Sequence, residues 1–195
     1  MGNDACVDLS LRRFTVAEYM RLAESGILAE DERIELIRGE IVETPPISIA
    51  HVSTKNRLVA LLTRTFAERT LVGINNPVQL YEFSLPQPDV VLLRLKENYY
   101  SDRHPGPNDV LLVVEIADAS VDYDRWVKAP LFGSACVMEY WIVNLPERQF
   151  EVFREPRPDG YRTMTRYLPG DTLTPLALPD VVLKVEDILG PNNPA

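Results

Sequence analysis

Two carboxylates, Asp89 and Glu115, stand where chemistry could be done. In "PQPDVVLLRL" Asp89 comes first and an apolar run follows. In "LLVVEIADAS" the apolar run comes first and ends on Glu115. Each run has the length and character of a buried strand, and an unpaired charge at its margin is costly. If the two strands lie side by side, the carboxylates meet. They then repel and raise one pKa, unless a hard cation relieves them. Mg²⁺ takes one or two carboxylates plus water and phosphate oxygens, and such a site activates water and stabilises charge on a phosphate. The alternative is that both residues cap strand ends or pair with Arg or Lys. Hydrolysis at a phosphate also gains from a second, non-metal cation. A lysine two residues after Glu115 would share its face of the strand and could supply that cation, but the position is Ala117. "VDYDRWVKAPLF" offers Lys128 instead, one helical step of four residues from Asp124. As a bare pair, Asp124 and Lys128 also fit a surface salt bridge worth a few tenths of a kcal/mol.

The elements that would carry these residues follow from pattern. Thr15 and Glu18 have capping-box spacing and Gly26 supplies a stop, so a helix is expected over 16–25. "RIELIRGEIVE" is a hairpin signal around Arg38-Gly39. Ile49, Val52, Val59, Leu62 and Phe66 recur at helical spacing, which predicts a long amphipathic helix over 49–69. Short β runs are expected at 71–74 and 78–81, and strands at 90–95 and 110–116. A helix should cover 122–132, although Pro130 interrupts its hydrogen bonding. "EYWIVN", "QFEVFRE" and "YRTMTRYL" read as three more strands, and a short segment follows near 185–189. This succession describes an α+β domain on one mixed β-sheet flanked by helices.

Composition narrows the function. The chain has 195 residues, 46% hydrophobic and 25% charged, enough apolar material for the core of one domain. No apolar run approaches the roughly 20 residues of a membrane helix, and "MGNDACVDLS" lacks the marks of a signal peptide. Cys6 and Cys136 form neither a disulfide framework nor a metal-ligand spacing. A cytoplasmic protein is expected. The net charge of -9 disfavours nucleic-acid binding unless a local basic cluster or bound cations offset it. Arg12, Arg13, Arg21, Arg33, Lys55, Arg57, Arg64 and Arg69 could form such a cluster, but they also read as solvated helix faces. There is no Rossmann fingerprint, P-loop, Gly-x-Ser-x-Gly elbow or His-Glu-x-x-His motif.

"SLPQPDVVLLR", "NYYSDRHPGPNDVLLVVEIADAS", "DYDRWVKAPLF" and "EYWIVN" occur in one order at one set of spacings. With "IELIRGEIVE" and His51 they resemble the Uma family of restriction-endonuclease-like proteins, within the PD-(D/E)XK nuclease superfamily. The resemblance spans roughly residues 14–189. It implies a restriction-endonuclease-like core and a Mg²⁺ site, with Mn²⁺ as a possible substitute. Pro88-Asp89 matches the PD motif, Glu115 the acidic member of the second motif, and Lys128 a lysine that family members carry on the following helix. Metal ligation would then fall to Asp89 and Glu115, and catalysis to Asp89, Glu115 and Lys128. Glu35, His51 and Asp124 are supporting candidates. Leu85, Phe132 and Cys136 depart from the family, which often has Glu, Tyr and Gly there. Trp126, Tyr140 and Trp141 are expected to pack, and His104 to be solvated.

The expected organisation is an N-terminal extension over 1–13, one endonuclease-like domain over 14–190 and a tail over 191–195. The expected function is Mg²⁺-dependent endonucleolytic hydrolysis of phosphodiester bonds in DNA. A homodimer would suit cutting of two strands. A non-catalytic nuclease-fold module that binds protein or nucleic acid is the alternative, and hydrolysis of another phosphate ester is a third reading.

Overall fold

The computed structural model describes residues 11–191 apart from 30 and 67. Most of the 1–13 segment, Cys6, and the tail beyond Pro191 lie outside the described residues. Helix α1 (Val16–Glu24) starts at the expected capping box: Thr15 Oγ1 accepts from the Glu18 amide and the Glu18 carboxylate accepts from the Thr15 amide. Strands β1 (Ile34–Ile37) and β2 (Glu40–Glu43) form the hairpin. Arg38 and Gly39 both take positive φ, 51° and 85°, as a two-residue turn of the I′ kind requires. Arg38 tolerates this because its amide is held by Ser84 Oγ at 2.9 Å.

Helix α2 (Ile49–Phe66) is capped by Ser48, whose hydroxyl accepts from the His51 amide. Its buried stripe is His51, Thr54, Leu58, Leu62 and Phe66. The expected stripe was partly wrong: Ile49 is 89% exposed and Val52 lies at the surface. The helix turns a polar face inward at its N-terminal end because that end borders the site, and its apolar face inward only further on. It also stops at Phe66, short of residue 69.

A six-stranded sheet follows in the order β3 (Thr70–Ile74), β4 (Val90–Arg94), β5 (Val110–Ala117), β6 (Glu139–Asn144), β7 (Gln149–Arg157), β8 (Gly160–Tyr167). All neighbours are antiparallel except β5 and β6. A parallel pair needs a crossover, and the chain supplies it as α3 (Val121–Tyr123), a π-helical segment (Asp124–Lys128) and α4 (Ala129–Ser134). One continuous α-helix was expected here. The Ala129 amide instead donates five residues back, to the Asp124 carbonyl. Pro130 has no amide to offer the α-helical ladder, so the π turn falls where that ladder would break. The expected strand at 78–81 is absent. Only an isolated bridge joins Leu80 to Ser84, across a turn in which Tyr81 has φ 59°. Strands β9 (Thr172–Leu173) and β10 (Leu183–Lys184) form a small ladder, and α5 (Val185–Leu189) closes the described fold.

Strand alternation divides the core. Val90, Leu92, Leu112, Val114 and Ile116 face α2 and α5 with Trp141 and Phe150. Val91, Leu93, Val113 and Ala117 face the other way, with Ala129, Phe132 and Tyr140. Residues 89 and 115 belong to this second set by parity. Tyr140 and Trp141 are fully buried, as expected of packing residues, but Trp126 is 71% exposed. The π segment turns Asp124 and Lys128 inward and leaves Trp126 outside. Leu85 bridges to Leu36 and is buried with it, so the apolar residue fills core space under the hairpin. Cys136 has φ 61°, the left-handed conformation that glycine adopts without strain. Phe132 stacks on Tyr140 at 5.3 Å between ring centroids.

Candidate active site

Val91 pairs with Val113 and Val90 with Val114. One step further along this antiparallel register, Asp89 falls opposite Glu115. The two residues then tie their strands together. The Asp89 amide donates to Glu115 Oε2 at 3.2 Å, and the Ile116 amide donates to Asp89 Oδ2 at 2.9 Å. Both side chains are buried and both line one cavity of about 540 Å³.

Three other elements point into that cavity. From α2, His51 Nε2 lies 2.8 Å from Asp89 Oδ1, and Lys55 Nζ donates to the same oxygen at 3.2 Å. Lys55 also donates to Asn75 Oδ1. His51 and Lys55 are four residues apart and so share one helix face. From the π segment, Lys128 Nζ donates to Glu115 Oε1 at 2.8 Å and to Glu35 Oε1 at 3.1 Å. From the hairpin, Glu35 also accepts from the Gln87 amide at 2.8 Å. Its second oxygen, Oε2, stands 3.1 Å from Lys128 Nζ, an ion pair without hydrogen-bond geometry. Asp124 lines the same cavity and accepts from Ser120 Oγ at 2.7 Å.

Glu35, His51, Asp89, Glu115, Asp124 and Lys128 are therefore brought together. The alternative reading of Asp124 and Lys128 as a surface salt bridge does not hold: both residues are buried, and Lys128 bonds Glu115 and Glu35. Two residues of the site were missed. Lys55 was read as a solvated helix face, yet its side chain is only 12% exposed. Its spacing of four from His51 was the available signal. Tyr123, on the cavity wall, gave no signal at all. His104 is half-buried in its loop and lines no part of this cavity.

Four carboxylates share the site with two ammonium groups, and the imbalance appears in their titration. Burial pushes Glu115 well above the usual carboxylate range; Lys128 opposes this, while Asp124, Asp89 and Glu35 add to it. Burial likewise raises Asp124 to about 6, against the pull of Lys128. Asp89 goes the other way. Burial would raise it, but the His51 hydrogen bond and charge, the Ile116 amide and Lys55 together lower it. Burial disfavours the Lys128 ammonium, yet Glu115, Glu35 and Asp124 outweigh that and raise its pKa well above the ordinary lysine value. The inner wall thus carries excess negative charge that only a proton or a further cation can relieve.

A six-stranded mixed sheet with helices on its faces, and a polar cavity at the margin of its antiparallel pair β4 and β5, define the class. The family model for Uma2, described as "Putative restriction endonuclease", matches residues 16–186. The chain belongs to that family. Its fold is similar to the crystal structure of a "putative nuclease belonging to DUF820" from Anabaena variabilis ATCC 29413, with a TM-score of 0.71 at 16% identity over 90% of this chain and 97% of that one. No curated protein matches the chain. Among the described residues, no helix is long and apolar enough to cross a membrane.

Proposed function

We propose that the protein is a Mg²⁺-dependent endonuclease that hydrolyses phosphodiester bonds in DNA. Membership of the Uma2 family supports a nuclease-type function. The observation that carries the finer reading is the placement of Asp89 opposite Glu115 with the Lys128 ammonium on Glu115, all in one cavity. Among the described residues no group of three or more His, Cys, Asp or Glu side chains is arranged to hold a metal ion by itself. Mg²⁺ does not need one, since it keeps several waters and uses one or two carboxylates plus substrate phosphate. Asp89 and Glu115 would hold it. The excess of carboxylates over ammonium groups fits a hydrated cation, with Mn²⁺ as a substitute. When bound, the ion would supply charge stabilisation at the phosphate and a more acidic water.

The chain's own groups do the rest. His51 and Lys55 fix the Asp89 carboxylate from α2 and keep it ionised. Lys128 stays charged and stands where a phosphate held near Glu115 would gain negative charge in the transition state. Glu35 also accepts from Lys128, at 3.1 Å, and Asp124 adds to the field that keeps Lys128 protonated.

The test is cleavage of linear, nicked and single-stranded DNA with Mg²⁺, Mn²⁺ or EDTA. Cleavage that needs the metal and is lost in Asp89→Ala supports the reading. Absence of cleavage on every substrate, with no Mg²⁺ binding by calorimetry, overturns it. A second reading has its own observation: His51, Lys55 and Lys128 already satisfy much of Asp89 and Glu115. A non-catalytic nuclease-fold module would retain such a cluster as structure, and the same calorimetry separates the two.

A further inference from the structure

Asn75, Asp89 and Glu115 form a row across three strands. Ile74 pairs with Val90 and Val90 with Val114. One step further along both antiparallel ladders, Asn75 falls beside Asp89 and Asp89 beside Glu115. The Asn75 amide donates to the Asp89 carbonyl at 3.2 Å, which holds the row together on that side. Neighbouring strands lie about 4.8 Å apart, so Asn75 stands roughly 10 Å from Glu115, backbone to backbone. Lys55 reaches the Asn75 end of the row from α2: its ammonium donates to Asp89 Oδ1 and to Asn75 Oδ1, both at 3.2 Å.

We propose that Lys55 and Asn75 form a second phosphate subsite, which holds a phosphate of the nucleic-acid strand next to the one at Glu115 and Lys128. This deepens the nuclease reading above and rests on it.

The two side chains have donors to spare. An ammonium carries three, of which Asp89 and Asn75 take two. Asn75 gives its oxygen to Lys55 and keeps the two N–H groups of its side-chain nitrogen for another acceptor. Both residues can be reached: Asn75 is exposed, the Lys55 side chain is 12% exposed, and both line the cavity. A cation beside a neutral amide is a donor pair of the kind that contacts phosphate oxygens. Asp89 already holds the Lys55 stem in place, so little side-chain freedom is lost when a phosphate arrives. Asn75 itself takes φ 53°, a left-handed conformation that Asn and Asp adopt more readily than most residues.

The distribution of charge sets the direction of the strand. Of the carboxylates that line the cavity, Asp31, Glu32, Glu35 and Glu43 come from the hairpin and the residues just before it, and Asp118 and Asp124 from the connection after β5. α2 and the end of β3 line it with His51, Lys55 and Asn75 and with no carboxylate. A strand that passes from Glu115 over Asp89 toward β3 therefore meets a cation and an amide, and no acid of that wall. Such a local field guides a polyanion onto a protein whose net charge is -9.

The experiment is fluorescence anisotropy of a labelled single-stranded oligothymidylate with the full chain in Ca²⁺, which takes oxygen ligands as Mg²⁺ does; a gel checks that the probe stays intact. Asn75→Asp keeps the acceptor for Lys55 and suits the left-handed backbone, but removes the two donors and adds a negative charge. It is expected to weaken the probe about tenfold or more and to leave the melting temperature level or higher. Thr44→Asp, which puts the same charge on the hairpin rim, is expected to weaken it much less. Lys55→Met is read through salt: the logarithm of affinity falls against that of salt by about 0.7 per phosphate neutralised on a single strand, so its slope should be shallower by about that amount. A lysine that serves Asp89 alone predicts a lower melting temperature with the slope unchanged, and that result overturns the proposal. So do unchanged binding in Asn75→Asp, equal weakening by the two aspartates, or a wild type that does not bind the probe. If the losses fall as expected but no DNA is cut under any condition, the subsite stands and the nuclease reading fails. If DNA is cut in a metal-dependent way that Asp89→Ala abolishes while Asn75→Asp binds as wild type does, the nuclease reading stands and the subsite fails.

Discussion

Asp89 accepts from His51, Lys55 and the Ile116 amide, and removing its carboxylate leaves all three donors without it. Two carboxylates side by side repel, and on that ground alone deleting one would stabilise the protein. The geometry reverses that expectation, since breaking one side of a buried charged pair typically costs about 3–5 kcal/mol. Asp89→Ala is expected to abolish cleavage and to lower the melting temperature, and Asp89→Asn to abolish cleavage with a smaller loss. Thermal melts beside a cleavage assay decide; an Asp89→Ala protein that melts above wild type would contradict a stabilising role for these three hydrogen bonds. Lys128→Met makes a complementary case. It strips Glu115 and Glu35 of their shared cation. The expected rate loss is about 10²–10³-fold, the scale of removing one preorganised group that stabilises transition-state charge. Its stability loss should be larger at about pH 8 than at about pH 5, because protonation of the abandoned carboxylates relieves the repulsion at the lower pH. A Lys128→Met enzyme with wild-type turnover would remove Lys128 from the chemistry.

At the scale of elements, the site depends on how the π segment is clamped. On one side Arg125 makes a two-pronged pair with Glu151 of β7, at 2.9 and 2.6 Å. On another, the Tyr140 hydroxyl donates to the Asp124 carbonyl at 3.3 Å. Just beyond, α4 crosses the start of β8 so closely that a Cβ on Gly133 would lie 2.0 Å from the Gly160 carbonyl oxygen. Gly133→Ala must therefore push α4 away from the sheet, at a cost of roughly 1–3 kcal/mol of the kind overpacking brings. Cleavage should fall with it, because α4 continues directly from Lys128. A melt and an assay on this one variant check both, and an unchanged melting temperature would mean that the helix seat is looser than the contact implies. These couplings explain what could be read in advance. Strand alternation made β4, β5 and β6 legible, and with them the margins on which Asp89 and Glu115 stand. The hairpin was legible from its Arg-Gly turn. The π turn was not, because periodicity over 122–132 fits an α-helix and only Pro130 objects. The inner face of α2 was misread for a related reason: a helix that borders a polar cavity buries His51 and Thr54 where pattern reading looks for apolar side chains. Lys55 was hidden because its role comes from contacts across the fold, to Asp89 and Asn75, and not from neighbours in sequence.

For the molecule as a whole, stability and cation binding should be linked through the same buried charge. Asp124 rises from an ordinary 3.8 to about 6 on folding, mainly by burial. An acid whose folded pKa is raised binds more proton in the native state between those two values. The contribution is therefore favourable at low pH and is lost as pH rises through about 6. Glu115, also raised, acts in the same sense over a higher range. Asp89, lowered, acts oppositely: its contribution is present above its unfolded pKa of 3.8 and is lost as pH falls through its lower folded value. In EDTA the protein should accordingly melt higher at about pH 5 than at about pH 8. Asp124→Asn should flatten that difference by raising the melting temperature at the higher pH and leaving the lower one nearly unchanged. Mg²⁺ or Mn²⁺, if held by Asp89 and Glu115, should act where the proton no longer does, and stabilise the native state by mass action as concentration rises above its dissociation constant. Its stabilising effect should then be greater at about pH 8 than at about pH 5 and be lost in Asp89→Asn. Calcium at the same ionic strength, together with a monovalent salt control, separates site binding from general screening of a chain with net charge -9. Melting temperatures that rise equally with every salt would assign the effect to screening and leave the carboxylate cluster without a cation to hold.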